Sequence, residues 1–69
     1  MKTLTKRETQ VLGMMTGGKT QKETAYDLGI SPATVNIHWT NLREKLEIWS
    51  LAKLTKYAIR NGITSLEEV

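Results

Sequence analysis

Cysteine is absent from this 69-residue chain, histidine occurs once, at position 38, and no apolar run exceeds three residues. Without cysteine there is neither a disulfide framework nor a thiolate metal site, and a single imidazole cannot assemble a zinc centre from protein nitrogens. A secreted mini-protein of this length would need such staples. A membrane span takes about 20 consecutive apolar residues, and the start Met1-Lys2-Thr3-Leu4-Thr5-Lys6 lacks the apolar core of a secretory signal. These absences lead us to expect a soluble protein of a reducing compartment, with no membrane, metal, cofactor or small-molecule ligand. No pair among the seven carboxylates is joined by its spacing to a nucleophile or metal ligand, so an enzyme is not expected either.

What remains is small and mildly basic. A chain this short buries only about 60 % of the surface its unfolded form exposes, which leaves a thin core and makes a second copy or another partner a natural supplement. One domain over 1–69 is expected, with a core at about 4–63 and a short tail at 64–69. Ten Lys and Arg stand against seven Asp and Glu, for a formal charge of +3. Two of those acids, Glu67 and Glu68, come next to last, so residues 1–66 hold ten bases against five acids. That balance permits a nucleic-acid partner without requiring one.

Start and stop signals divide the chain into four helices, an all-α, bundle-like pattern with no run that reads as a strand. Thr5-Lys6-Arg7-Glu8 has the capping-box form, preceded by Leu4 where a hydrophobic staple would stand. Val11, Leu12, Met14 and Met15 follow, and Gly17-Gly18 offers a left-handed stop, predicting a helix over about 6–16 with both methionines as core fillers. A second box, Thr20-Gln21-Lys22-Glu23, opens a helix that turns Ala25 and Leu28 inward and closes at Gly29. Ser31-Pro32 supplies an N-cap and a first-turn proline for a helix near 32–47, whose inward stripe is Val35, His38 or Trp39, Leu42 and Leu46. Ser50 caps a last helix that runs to Asn61 and stops at Gly62. Its apolar residues Leu51, Ala52, Leu54, Tyr57, Ala58 and Ile59 occupy more than one stripe, which suggests one face for the core and another for a partner.

The turn between the second and third helices carries the most information. Ala25 is small enough for two helices to cross closely, Gly29 accepts positive φ, and Ile30 and Val35 plug the space beneath. Counted from Gln21 these positions reproduce the helix-turn-helix pattern, in which the second helix of the motif enters the DNA major groove and sets its N-terminal residues against base edges.

Leu4-Thr5-Lys6-Arg7-Glu8, Val11-Leu12, Gly18 to Ala25, Leu28-Gly29-Ile30-Ser31, Thr34-Val35, His38, Lys45-Leu46 and Tyr57 to Gly62 together resemble the LuxR-type (GerE/NarL-like) DNA-binding domain. The resemblance spans about residues 4–63. It implies a four-helix domain of a bacterial transcription regulator, cytoplasmic and nucleoid-associated when bound, with the third helix for recognition and the fourth for dimerisation. Double-stranded DNA is the implied partner, a homodimer on an inverted repeat the implied form, and RNA polymerase a further partner open to such a regulator. Relatives usually place this domain after a receiver or ligand-binding domain, so the chain fits either a stand-alone regulator or an excised effector domain. Two other classes stay open. A sigma-factor-like promoter element shares the opening and the turn but ordinarily ends after the recognition helix; a protein-interaction domain would keep the fold and lose DNA binding.

Departures from the family pattern sharpen the expectation. Relatives usually have an apolar residue at Thr24, Gly at Glu47 and often Lys or Arg at Asn36 or Thr40. From Pro32 to Leu42 there is thus no formal positive charge, and the bidentate Arg or Lys contact to guanine is lost. Asn36 and Asn41 offer amides for adenine, while Ala33, Ile37 and the Thr40 methyl suit thymine, pointing to A·T-containing half-sites. Phosphate contacts are expected from Lys19, Thr20, Lys22, Ser31, Thr34 and Lys45. Neutralising about four to six phosphates per monomer gives a log–log salt slope of about −4 to −5. The dimer face is expected at Leu51, Leu54, Thr55 and Ala58, which recur every three or four residues. Plainer roles stand beside these: capping for Thr5, Glu8, Thr20 and Glu23, a hydrogen-bonded structural role for His38, packing for Trp49, and a solvated strip for Lys53, Lys56 and Arg60. Trp39 is open between packing, DNA backbone contact and an interface patch.

Overall fold

The computed structural model describes residues 3–64. It contains α1 (Lys6–Thr16), α2 (Gln21–Leu28), α3 (Pro32–Leu46) and α4 (Leu51–Arg60), and no strand among the described residues. None of these helices is long and apolar enough to cross a membrane. Met1, Lys2 and the part of the expected tail at 65–69 lie outside the described residues; Thr64, assigned to that tail from sequence, is buried against the body instead.

Each helix begins where a side chain satisfies its free N–H groups. The Thr5 hydroxyl accepts from the Glu8 N–H (3.1 Å) and the Glu8 carboxylate accepts from the Thr5 N–H (2.9 Å). Thr20 and Glu23 repeat the exchange at 3.1 and 2.9 Å. Ser31 accepts from the Thr34 N–H at 3.1 Å with Pro32 beginning α3, and Ser50 accepts more loosely from Lys53, at 3.4 Å. The stops are left-handed. Gly29 closes α2 at φ 68°, and α1 ends through Gly18 at φ 106°, whereas Gly17 stays right-handed at φ −78°. At the end of α3 the left-handed residue is Glu47, at φ 56°, the one non-glycine with positive φ among the described residues.

All four helices contribute to one small core of Val11, Leu12, Ala25, Val35, Leu42, Leu54 and Ala58. Met15, Leu28, Ile30, Trp39, Leu46 and Tyr57 pack around it, and Met14 is half-buried. α1 lies at the centre and touches each of the other helices, while α4 packs on α1. That approach explains a glycine in mid-helix: a Cβ on Gly13 would come within 3.0 Å of the Ile63 carbonyl oxygen, just beyond α4. Thr24, where an apolar residue is usual, is fully buried, and its hydroxyl donates to the Thr20 carbonyl at 2.9 Å, so the extra polar atom is satisfied within its own helix.

α4 requires a correction. Leu54 and Ala58, expected on the dimer face, are 0 % exposed and belong to the core. Their spacing is right for one helix face, but it is the face that meets α1. Leu51 is exposed and Thr55 half-buried; Ala52, exposed, and Ile59, half-buried, adjoin them on a second flank, and Lys53, Lys56 and Arg60 form an exposed strip.

A side chain with a Cβ in the left-handed region costs roughly 1–2 kcal/mol, part of which glycine returns as entropy of the unfolded chain. Glu47→Gly should therefore stabilise the protein by about 0.5–1 kcal/mol, raising Tm by a few degrees in a thermal melt.

Candidate nucleic-acid interface

The outward face of α3 is set by the helical repeat. Val35 and Leu42 turn into the core, which leaves Ala33, Asn36, Ile37 and Asn41 exposed and Thr40 half-exposed on the opposite side. Ile37 is 58 % exposed. The five residues expected to meet bases thus lie on one surface made of methyls, amides and a hydroxyl. Glu44, which sequence reading did not single out, extends the same exposed face toward the C-terminal end of α3. A carboxylate there can accept from cytosine N4 and repels phosphate.

The α2–α3 turn fixes how that face is presented. Ala25 is almost wholly buried at the crossing, and the Ile30 N–H donates to the Ala25 carbonyl at 3.0 Å. Gln21, also missed from sequence, reaches from the first turn of α2 to donate through Nε2 to the Pro32 carbonyl at 2.8 Å. This bond joins the N-terminal ends of the two helices. Thr20 and Ser31 are both exposed, so two capped helix N-termini stand open to solvent beside the α3 face, a favourable setting for anions. The Ser31 and Thr34 hydroxyls lie 2.9 Å apart.

The candidate phosphate-binding cations behave differently from one another. Lys22 is exposed. Lys19 is exposed too, but its ammonium is paired with Asp27, whose hydrogen bond and charge raise it above the ordinary lysine pKa. Lys45 is already engaged within the domain: its Nζ lies 2.7 Å from Glu8 Oε1 and 3.5 Å from the Thr3 carbonyl, tying α3 to the start of α1. Burial pushes the Glu8 carboxyl up, but the Lys45 ammonium and the Thr5 N–H outweigh it and hold the group below its ordinary value. His38 is half-buried and, among the described residues, takes no hydrogen bond, contrary to the structural bond expected of it.

Sequence reading also passed over Arg43. Its guanidinium carbon lies 4.8 Å from the centre of the Trp49 ring and 5.8 Å from that of Trp39, and Nη2 donates to the Trp49 carbonyl at 2.9 Å. Trp39 packs partly against the core, whereas Trp49 is 55 % exposed. The spacing of Trp39 and Arg43, one turn apart, was a visible signal; the return of Trp49 depends on the chain reversal at Glu47.

Residues 2–58 match the family described as bacterial regulatory proteins, luxR family. The chain belongs to that family. Over 62 residues, 90 % of this chain, it is 45 % identical to the transcriptional regulatory protein MctR of Rhizobium johnstonii, covering 29 % of that protein. Over 62 residues it is 42 % identical to the transcriptional regulatory protein FixJ of Rhizobium meliloti, with 90 % and 30 % coverage. A 53-residue stretch is 45 % identical to the transcriptional regulatory protein UhpA of Escherichia coli, covering 77 % of this chain and 27 % of the relative. The chain thus spans less than a third of each of these three relatives. Its four helices and α2–α3 turn are those of the LuxR-type helix-turn-helix domain.

The Glu8–Lys45 contact makes two predictions. Lys45→Met should cost about 2 kcal/mol in urea unfolding, the worth of a hydrogen bond to a charged group, and leave the salt dependence of DNA binding unchanged. Because Glu8 holds its proton less tightly when folded, its contribution is present above about pH 4.5 and is lost as pH falls through its lowered folded value. Unfolding midpoints followed from neutral to acid pH should fall in the parent chain, and in Glu8→Gln that part of the fall should be missing.

Proposed function

We propose that this chain is the sequence-specific DNA-binding unit of a transcription regulator, reading the major groove with α3 and acting as a homodimer on an inverted repeat. The observation that carries this is the exposed, uncharged α3 face of Ala33, Asn36, Ile37, Thr40 and Asn41, flanked by the open N-termini of α2 and α3. Asn amides bidentate to adenine and methyls against thymine favour A·T-containing half-sites. Lys19, Thr20, Lys22, Ser31 and Thr34 anchor the backbone, and they carry no sequence information. Membership of the LuxR family, with relatives named as transcriptional regulatory proteins, supports the same role. The well-packed α4 favours it over a promoter element that ends after the recognition helix.

With Leu54 and Ala58 in the core, the dimer surface moves to the flank of α4 formed by Leu51, Ala52, Thr55 and Ile59. Two-fold symmetry then sets half-site centres about 10 bp apart, one turn of the duplex.

Selection from random duplex DNA at two salt concentrations, with sizing of the bound complex, tests each part. The expected outcome is paired A·T-containing half-sites about 10 bp apart, two chains per duplex, and a salt slope of about −2 per monomer from Lys19 and Lys22, now that Lys45 is engaged elsewhere. Guanine-centred half-sites would overturn the readout, and a flat salt dependence would overturn DNA as the partner. Ile59→Glu should abolish the two-chain complex while the helical signal of the free chain persists; Leu54→Ala should instead lose about 2–5 kcal/mol of folding stability.

A further inference from the structure

A cleft of about 450 Å³ opens between the end of α1 and the α3–α4 junction, lined by Met15, Lys19, Trp39, Arg43, Trp49 and Leu51. Its walls hold two cations and no carboxylate. They also hold hydrogen-bond donors that make no bond within the described residues. Among the described residues neither indole N–H has an acceptor, and Arg43 Nε is buried without one. Guanidinium and indole N–H groups only donate, so the complement of this surface is rich in acceptors and negatively charged. The stacked rings add flat apolar area, with Trp49 more than half exposed.

We propose that the Trp39–Arg43–Trp49 stack is a docking wall for the sugar-phosphate backbone of duplex DNA, continuing the phosphate-binding surface at the start of α2. Lys19 belongs to both: it precedes the α2 cap at Thr20 and lines the cleft. A phosphate beside Lys19 meets the indole and guanidinium donors, and the adjoining deoxyribose packs on the exposed Trp49 ring. Arg43, clamped to the Trp49 carbonyl, is held ready, so little side-chain freedom is lost on contact. Asp27, outside the cleft, holds Lys19 in the free protein and is displaced by phosphate. The wall thus supplies, from beside the reading face, contacts that the uncharged α3 face lacks, and it does so for any sequence.

This inference rests on the DNA-binding role proposed above, and the test separates the two. Both tryptophans of the chain stand in the stack, so intrinsic tryptophan emission reports on it directly. The whole chain is titrated with a fluorescently labelled random-sequence duplex at low salt, following label anisotropy and tryptophan emission together. Emission should change in step with anisotropy. Trp49→Ala, at a half-exposed site, should keep its helical content and bind about tenfold more weakly, equally on random and selected duplexes and with the same salt slope. Arg43→Gln should reduce the slope by about 0.9. Binding with unchanged emission, together with parent-like affinity in Trp49→Ala, would overturn the wall and leave the DNA-binding role intact. A shift in the DNA-free oligomeric state on Trp49→Ala would assign the stack to a second copy and overturn it as well. Failure of every duplex to bind would overturn both.

Discussion

The carboxylate of Glu8, a residue only 3 % exposed, is the joint on which the domain turns. One oxygen receives both the Thr5 N–H and the Lys45 ammonium, so a single group closes the N-terminus of α1 and ties that helix to the last turns of α3. Losing the Lys45 ammonium would leave that oxygen with the Thr5 N–H alone, at a cost in stability. The relation of α3 to α1 is therefore fixed chemically as well as by packing. α2 and α4 also pack on α1, so the helix that presents the reading face is held by a frame whose centre is α1. In a core this small such a tie matters more than it would in a larger domain.

The same joint changes the meaning of the net positive charge. Lys45 is consumed by Glu8, Lys19 is engaged by Asp27, and Arg43 lies against two indoles. Lys53, Lys56 and Arg60 form a strip on α4, on a different helix from the reading face. Lys22 is the cation near the turn with no carboxylate partner among the described residues. The attraction available for a nucleic acid is thus local and geometric, built from helix N-termini and held donors, rather than a broad basic field. Affinity and specificity are correspondingly divided: backbone contacts surround the α3 face, and neutral amides and methyls occupy it.

Local chemistry was legible in the sequence, and long-range pairing was not. Thr5/Glu8 and Thr20/Glu23 identify themselves because a capping box closes within four residues, and Gly29 and the Gly17-Gly18 pair mark stops for the same reason. The exposed face of α3 followed from Val35 and Leu42 alone, since a helix whose inward stripe is known has its outward stripe determined. α4 shows the limit. Leu51, Leu54, Thr55 and Ala58 share a face by spacing, but spacing does not say how the helix is rotated against α1; Gly13, which admits the close approach of the chain after α4, becomes intelligible only when both segments are in view. The Lys45–Glu8 tie is hidden from sequence for a similar reason, the partners lying 37 residues apart.

The end of α3 joins these threads. Glu47 enters the left-handed region that a glycine would occupy at lower cost, and the chain reverses there: the Ile48 N–H donates to the Arg43 carbonyl at 3.2 Å, and the Trp49 carbonyl comes back to accept from the Arg43 guanidinium at 2.9 Å. The backbone strain at Glu47 is thereby offset by a clasp whose two ends are a reading-helix side chain and the residue that leads into α4. Arg43 is the shared element. It anchors the turn through its hydrogen bond and presents its ring-stacked face to the cleft, so the geometry of the proposed backbone wall and the entry into α4 are set by one side chain. A change that relaxes the turn therefore reaches the α4 flank and the cleft together, although the two surfaces meet different partners.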